Sequence, residues 1–404
     1  MRTLHFHEYQ VRRDVPLTPA EVTVLRTTFK CLVTRTDNGD GLYDVRAQDR
    51  VGMVIVGDTA IVVAPKLPIA RVLFLITHAV DPSWTNEAAL GTAASLTDAM
   101  AAVFTHMCDQ AVRTGLLRGY RDHRERLHTV RGRIDFTEQL RVSPGRDLPL
   151  TVTYQTHDED IPENQLLRTA LDLLAQVPIN SNDVRRSLAR QQRMLESVTP
   201  LPRNLGSLPV VRWTRLNEHY RPAVELARLI LLGTEPELGP GKITVPGFAV
   251  RMTEVFEKFV RTTTRRALGL DELDFPAGAD SALHLDHKRA LHVQPDLSCW
   301  VDGRCRFVGE LKYRLDTGHG DAQHLYQTLA YATAANLPDA TLIYADGPRN
   351  GTTHVLPTAG IRIHVRHLAL NVELDQLLGQ IDALAHHINE LTTRPWAQVR
   401  PRSR

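Results

Sequence analysis

Hydrophobic residues recur along the chain with different periods, and the changes of period divide it into regions. Up to about residue 70, short β-branched runs dominate, and the two runs of Val51–Pro65 are separated by Gly57-Asp58, which is typical of a hairpin turn. A strand is also predicted around 150–154. From about 69 to 235, apolar residues otherwise return every three or four positions, which predicts helices over 69–79, 96–117, 163–176, 184–198 and 218–232.

A segment rich in Gly and Pro at 233–242 is the best candidate for a linker. The pattern beyond it predicts, in order, a helix, two strands, a helix, two strands and a helix, at 252–268, 291–301, 304–313, 322–335, 340–345, 361–365 and 372–391. This order is typical of a mixed layer, so the predicted fold class is α/β, or α+β overall. We predict a β-rich region at 1–70, a mostly helical region at 71–242 and an α/β domain at 243–404.

The two strands within 291–313 alternate between apolar odd-numbered and polar even-numbered positions. Each strand is therefore predicted to bury one face and expose the other. A two-residue loop would pair apolar faces with polar ones, whereas a three-residue loop at 302–304 matches the faces. That register sets Asp296 directly opposite Glu310, with Lys312 one step along the same face.

Two carboxylates that face each other cost stability unless a cation lies between them. A hard divalent ion with oxygen ligands is the natural candidate, and Mg²⁺ is the usual one. Lys312 would then reach a bound phosphate or water, as phosphodiester hydrolysis requires. The alternative is a surface hairpin whose acids and lysine form a solvated face.

The helix predicted after these strands carries Gln327 and Tyr331 one turn apart, and Asp296 follows Pro295. The coincidence of these features with an acid-x-Lys strand favours a site over a solvated face. Together they resemble the PD-(D/E)xK nuclease signature with the Gln-x-x-x-Tyr extension of its RecB-like branch.

Further motifs make the chain similar to the McrC-like family, the nuclease subunits of methylation-dependent restriction systems. They are Val-Arg-Gly-Arg-Ile-Asp-Phe at 130–136, Asp-Ile-Pro-Glu-Asn-Gln-Leu-Leu at 160–167, Met-Thr-Glu-Val-Phe-Glu-Lys-Phe-Val at 252–260 and His-Leu-Tyr-Gln-Thr-Leu-Ala-Tyr at 324–331. The resemblance covers the chain from about residue 65 to the last helix. It implies that the 243–404 region is a restriction-endonuclease-like nuclease domain.

The resemblance also implies roles for single residues. Asp296 and Glu310 would be ligands of Mg²⁺, for which Mn²⁺ is a possible substitute, and Lys312 would position water or stabilise developing charge. Glu257 occupies the place of a further acidic residue in many relatives, although a plain surface glutamate is the alternative. Gln327 and Tyr331 would position the substrate strand or the lysine.

Partners follow from the resemblance as well. McrC-like subunits act with a hexameric McrB-like AAA+ GTPase on DNA that contains modified cytosine, and their N-terminal region docks on that ring. The sequence contains no G-x-x-x-x-G-K-S/T motif, so a nucleotide site would have to come from another protein. The alternatives are an inert adaptor that stimulates the motor, and a standalone RecB-like repair nuclease.

Composition adds little to this interpretation. The 48 basic and 46 acidic residues give a net charge of only +2, which by itself does not indicate a nucleic-acid partner. Only six of the basic residues are lysines, so Lys312 has few competitors for any lysine-dependent role. No targeting or membrane signal and no zinc-type cysteine spacing is present, so we expect a cytoplasmic protein. A basic cluster at 118–133 either follows DNA phosphates, binds a partner or is a salt-bridged surface.

Overall fold

The structure, a computed structural model, describes residues 2–37, 39, 41–81, 95–142, 148–202, 207–233, 247–348 and 350–393. The N-terminal region is mostly β-structure, with elements β1 (Arg2–His7), β2 (Val11–Pro16), α1 (Pro19–Thr27), β3 (Leu32–Arg35), β4 (Leu42–Arg46), β5 (Arg50–Val56) and β6 (Thr59–Ala64). Strands β5 and β6 form the predicted hairpin, and Gly57 takes the positive φ of 56° that its turn requires.

The middle region contains the five predicted helices and an antiparallel sheet. Its elements are α2 (Ile69–Val80), α3 (Leu96–Ala111), β7 (Gly119–Leu127), β8 (Arg133–Ile134), α4 (Phe136–Val142), β9 (Leu150–Asp158), α5 (Pro162–Leu174), α6 (Asn182–Met194) and α7 (Arg221–Gly233). Helix α3 ends six residues before the predicted end at 117, and Gly115 follows with a φ of 103°. The strand predicted around 150–154 is β9, and it pairs with β7 and β8, which were not predicted.

The C-terminal region contains the predicted helices and strands in their predicted order, together with three strands that were not predicted, at 247–251, 283–284 and 352–356. Its elements are β10 (Gly247–Arg251), α8 (Met252–Ala267), β11 (Leu283–His284), β12 (His292–Val293), β13 (Leu297–Val301), β14 (Arg304–Leu315), α9 (Ala322–Ala335), β15 (Asp339–Asp346), β16 (Thr352–Leu356), β17 (Ile361–His367) and α10 (Leu374–Thr393). The predicted strand at 291–301 is divided into β12 and β13, with Pro295, which has no N–H to donate to a ladder, between them.

A five-stranded sheet in the order β13-β14-β15-β17-β16 supports this region. Strand β14 is parallel to β15, and β15 is parallel to β17, so α9 is the crossover between β14 and β15. Helix α9 packs against β14 and β15, while α8 and α10 also pack against β14. The chain is therefore a mixed α/β protein, as predicted.

The expectation of one exposed hairpin face is wrong. Ser298, Val308 and Glu310 are buried on the face predicted to be polar and solvated. Val308 packs in a core cluster with Tyr331 of α9, whereas Phe307 on the opposite face belongs to the main core. Both faces are buried because helices cover both, which is usual for sheets with parallel strands.

The predicted three-residue hairpin loop is also wrong, although the predicted position of Asp296 opposite Glu310 is confirmed. Val301 pairs with Arg304, so the loop is the two-residue Asp302-Gly303, and both residues have positive φ, as a type I′ turn requires. A bulge then shifts the register, and Leu297 pairs with Gly309. Continued by one residue, this register brings Asp296 opposite Glu310.

A second sheet joins distant parts of the chain. Its order is β1-β6-β5-β10, so β10, which follows the predicted linker, pairs with the N-terminal strand β5. Beyond Gly233, the predicted linker lies outside the described residues. Among the helices that the structure describes, none has the length and apolar character needed to cross a membrane.

Candidate active site

Asp296 is fixed at the bend between β12 and β13. Its Oδ2 accepts a hydrogen bond from the backbone N–H of Leu311 at 2.8 Å, across the hairpin. This bond holds the carboxylate beside Glu310, the residue before Leu311 on β14. Burial raises the pKa of Asp296 above its ordinary value.

Glu310 is almost completely buried, with 2% of its surface exposed. Lys312 Nζ donates to its Oε1 at 2.5 Å, whereas Oε2 is buried and has no hydrogen-bond partner among the described residues. Burial, reinforced by the neighbouring charge of Asp296, raises the pKa of Glu310 to about 8. Lys312 and Arg261 are the cations that act on this carboxyl pair, yet the pKa values of both acids stay raised, so a further cation would stabilise both.

Helix α8 adds Glu257 to this group. Burial and the charge of Asp296, opposed by the charge of Arg261, raise the pKa of Glu257 to about 8. Arg261 lies one turn further along α8 and interacts electrostatically with both Glu257 and Asp296. Sequence reasoning missed Arg261, although its four-residue spacing from Glu257 places the two on one helix face.

Helix α9 closes the site from the other side. Gln327 Nε2 donates to the hydroxyl oxygen of Tyr331 at 2.7 Å, and Tyr331 is 4% exposed. Burial and the neighbouring Glu310 carboxylate raise the pKa of Tyr331. His324, one turn before Gln327, lies close enough to Lys312 for that charge to lower the histidine pKa, although burial lowers it more.

The loop between β14 and α9 is held by Asp316. Its carboxylate accepts from the backbone N–H groups of Gly318 and Gly320 at 2.9 and 3.1 Å, and it pairs with His367 on β17 at 2.8 Å. These contacts fix the start of α9 relative to the sheet. The structure thus brings all six residues predicted for the site, from α8, α9 and the hairpin, to one place.

The donor set suits a hard divalent cation. Among the residues that the structure describes, no three His, Cys, Asp or Glu side chains form a ligand cluster, so Glu257 does not complete one. Asp296 and Glu310 would hold the ion through carboxylate oxygens, including the unpartnered Oε2 of Glu310. Mg²⁺ fits such a site because it is usually bound by one or two carboxylates and keeps several waters.

Three of the six arginines in the basic cluster at 118–133 lie on β7, and Arg118, Arg121 and Arg124 form ion pairs. Arg121 contacts Asp160 at 2.5 Å, and Arg124 contacts Asp135 at 2.5 Å. Of the three interpretations of this cluster, these contacts favour the salt-bridged surface.

Comparisons with known proteins bear on what this site does. The sequence model of a family described as McrBC 5-methylcytosine restriction system component matches residues 45–345. No curated protein matches the chain.

Two solved structures that match this chain come from Thermococcus gammatolerans. One, a refined half-complex from a tetradecameric assembly of McrB AAA+ hexamers with bound McrC, has a TM-score of 0.51 and 16% identity over 96% of this chain and 100% of that chain. Another, a McrBC complex determined by cryo-EM, matches 66% of this chain and 88% of that chain at 18% identity, with a TM-score of 0.37. At such identities the first likeness is one of fold alone.

Proposed function

Since the chain belongs to the family of McrBC 5-methylcytosine restriction system components, we propose that it is the Mg²⁺-dependent DNA endonuclease subunit of a modification-dependent restriction system. The observation that carries the proposal is the buried pair Asp296 and Glu310, with Lys312 bonded to one oxygen and Oε2 of Glu310 left without a partner. A carboxylate pair of this kind is costly in a purely structural role.

The residues of the site would divide the work of phosphodiester hydrolysis. Mg²⁺ held by Asp296 and Glu310 would stabilise charge on the phosphodiester and lower the pKa of a water nucleophile. Lys312, fixed by Glu310, would place its ammonium beside the phosphate, where it favours the more negative transition state. Tyr331, oriented by Gln327, would hold the Glu310 and Lys312 side chains in place.

We further propose that cleavage requires an AAA+ GTPase partner and DNA with modified cytosine. Two observations support a separate motor: the family is a component of a multi-protein system, and this sequence contains no Walker A motif. The chain would stimulate the partner's GTP hydrolysis while its own nuclease site cuts the DNA.

The test uses the full chain together with a McrB-like AAA+ GTPase, which is to be sought first in the adjacent reading frame. With methylated DNA, Mg²⁺ and GTP, the wild type is expected to cleave, and Glu310→Ala and Lys312→Ala are expected to lose at least about 100-fold in rate. Lys288→Ala removes an exposed lysine of the same region and is the matched control.

The same experiment separates the alternatives. Normal cutting by the Glu310→Ala variant would overturn the assignment of the site. Stimulation of the GTPase without cleavage of any DNA, with any metal, would identify an inert adaptor. Cleavage of unmodified DNA without the partner would instead identify a standalone nuclease.

A further inference from the structure

A second concave site lies where the N-terminal region meets the end of β14. The cavity has a volume of about 530 Å³, and its lining includes Tyr9, Leu32, Arg46, Lys66, Arg314 and Leu315. Among the described residues that line it, three are cationic and none is a carboxylate. Since Arg46, Lys66 and Arg314 are all exposed, the cavity presents its positive charge to solvent.

The cavity borders the end of β14, the strand that carries Glu310 and Lys312. Arg314 follows Lys312 by two residues on β14, and the pairing of β14 with β15 shifts register between Lys312 and Leu315. Such an irregularity redirects side chains next to a site. Lys66 lies over the ring of Tyr313, with Nζ 4.1 Å from the ring centroid, so Lys66 lies beside the strand that carries Glu310 and Arg314.

The acids around the cavity offset its charge only in part. Glu8 and Asp346 act on Lys66, and Glu8 is buried with 2% exposure. Burial raises the pKa of Glu8 to about 7, so this carboxyl offsets the cations less than an exposed glutamate would. A net positive potential therefore remains, which suits an anionic group.

Apart from Gln48, the rest of the lining is aliphatic or aromatic. Leu32 and Leu315 are 58% and 70% exposed, which leaves apolar surface beside the cations. Tyr9 has a φ of 60°, unusual for a bulky residue, and its hydroxyl donates to the backbone oxygen of Tyr313 at 3.3 Å. The backbone thus holds an aromatic ring at the cavity in a strained conformation. Cations with apolar and aromatic surface are the combination that binds the phosphate and base of a nucleotide.

We propose that this cavity binds a nucleotide unit of the nucleic-acid strand that passes through the active site. Arg46, Lys66 and Arg314 contact its phosphate, and Tyr9, Leu32 and Leu315 contact its base or sugar. The identity of that strand as DNA rests on the proposed function, whereas the binding itself requires no cleavage.

The test measures binding of a labelled single-stranded DNA oligonucleotide to the full chain in EDTA by fluorescence anisotropy. Arg46→Gln combined with Arg314→Gln is expected to raise Kd about ten-fold and to reduce the slope of log K against log salt by about 0.7 for each phosphate that is no longer neutralised. Both side chains are exposed, so folding is expected to be retained, as circular dichroism would show. Arg304→Gln, an exposed arginine at the opposite end of β14, is the matched control and is expected to leave both quantities unchanged.

Unchanged affinity and salt dependence in the double variant would overturn the inference, as would the absence of any oligonucleotide binding by the wild type. Titration with inorganic phosphate and with a mononucleotide distinguishes the sources of the phosphate. Phosphate or the mononucleotide could bind tightly and depend on Arg46 and Arg314, while the affinity for the oligonucleotide does not depend on them. In that case the cavity binds a free anion, and the proposal that it binds a nucleic-acid strand is wrong. Loss of oligonucleotide affinity in a chain that never cleaves DNA would leave this inference intact and overturn only the proposed nuclease function.

Discussion

Excess negative charge in a buried place distinguishes this site from an ordinary surface hairpin. Asp296, Glu310 and Glu257 all have raised pKa values because they are desolvated, and Lys312 and Arg261 are the cations that act on them. Exposed hairpins show no such desolvation. A cluster that costs stability in the folded protein is more easily explained by chemistry than by folding.

This cost predicts a pH-dependent stability. Burial raises the pKa of Glu257 from its ordinary 4.5 to about 8, so between these values the folded protein binds more protons than the unfolded chain. The free energy of unfolding therefore falls as pH rises through this window, and Glu257→Gln removes part of the fall. The measurement is denaturant unfolding in EDTA at pH 5 and pH 8. The decrease in the free energy of unfolding between these pH values should be smaller in Glu257→Gln than in the wild type by at least about 1.4 kcal/mol, the equivalent of one pKa unit.

Glu196→Gln removes an exposed glutamate in the turn that follows α6 and is the control for this measurement. It is expected to keep the wild-type pH dependence. The prediction fails if the Glu257→Gln variant shows that same dependence.

Gln327 permits a second prediction at the residue scale. It orients the hydroxyl of Tyr331, which lies beside Glu310, so Gln327→Ala is expected to lower kcat for DNA cleavage about ten-fold by loosening the site. Because Gln327 is only partly buried, we expect the free energy of unfolding to change by less than about 1 kcal/mol.

Gln323→Ala, an exposed glutamine in the first turn of the same helix, is the matched control and should cleave at the wild-type rate. Equal kcat in the two variants would show that the Gln327 side chain does not position the site.

At the scale of elements, alternation along β13 and β14 was enough to predict that Asp296 faces Glu310. It was not enough to predict the loop, because strict alternation assumes that each residue of β13 pairs with one residue of β14. The bulge after the Asp302-Gly303 turn breaks that assumption and places Cys305 on the face of Val308. Residue chemistry and the family resemblance predicted the site residues, while the hairpin geometry that positions Asp296 and Glu310 depends on a local irregularity.

Other elements were missed because their partners are distant or their pattern is polar. Strand β7 alternates between arginines and acids with hardly any apolar residue, so periodicity gave no strand signal. Strand β10 reaches the N-terminal sheet by pairing with β5, which only the folded chain shows. Helix α9 likewise packs over the polar face of the hairpin. This tertiary contact buries a surface that the sequence pattern predicted to be exposed.

The β5–β10 pairing predicts a sensitivity at Gly52. A Cβ there would lie 2.2 Å from the backbone oxygen of Phe248, and the φ of Gly52 is 149°. Gly52→Ala is therefore expected to reduce the free energy of unfolding by at least about 2 kcal/mol. Gly379→Ala, in α10 with open space around it, is the matched control and should be neutral or stabilising by about 0.5–1 kcal/mol. Chemical denaturation measures both, and equal stabilities of the two variants would contradict the close approach of the strands.

At the scale of the whole molecule, one core extends through most of the chain. The main cluster of buried residues includes Leu4 and Phe6 near the N-terminus, the helices of the middle region, and Ile388 in α10. Tyr313 of β14 contacts Glu8 through its hydroxyl at 3.4 Å, so the strand of the active site packs directly on the N-terminal region. The cavity proposed to bind a nucleotide lies along this same junction.

A continuous core predicts that the chain unfolds as a unit. The sequence pattern, in contrast, predicts a division into three regions, at 1–70, 71–242 and 243–404. Because β10 of the last region completes the sheet of the first, loss of either should remove support from the other. Calorimetry is expected to give one transition whose van't Hoff enthalpy equals the calorimetric enthalpy, and Gly52→Ala should lower the midpoint of the entire transition. Two separated transitions, or a Gly52→Ala effect confined to one of them, would show instead that the nuclease region folds independently of the N-terminal sheet.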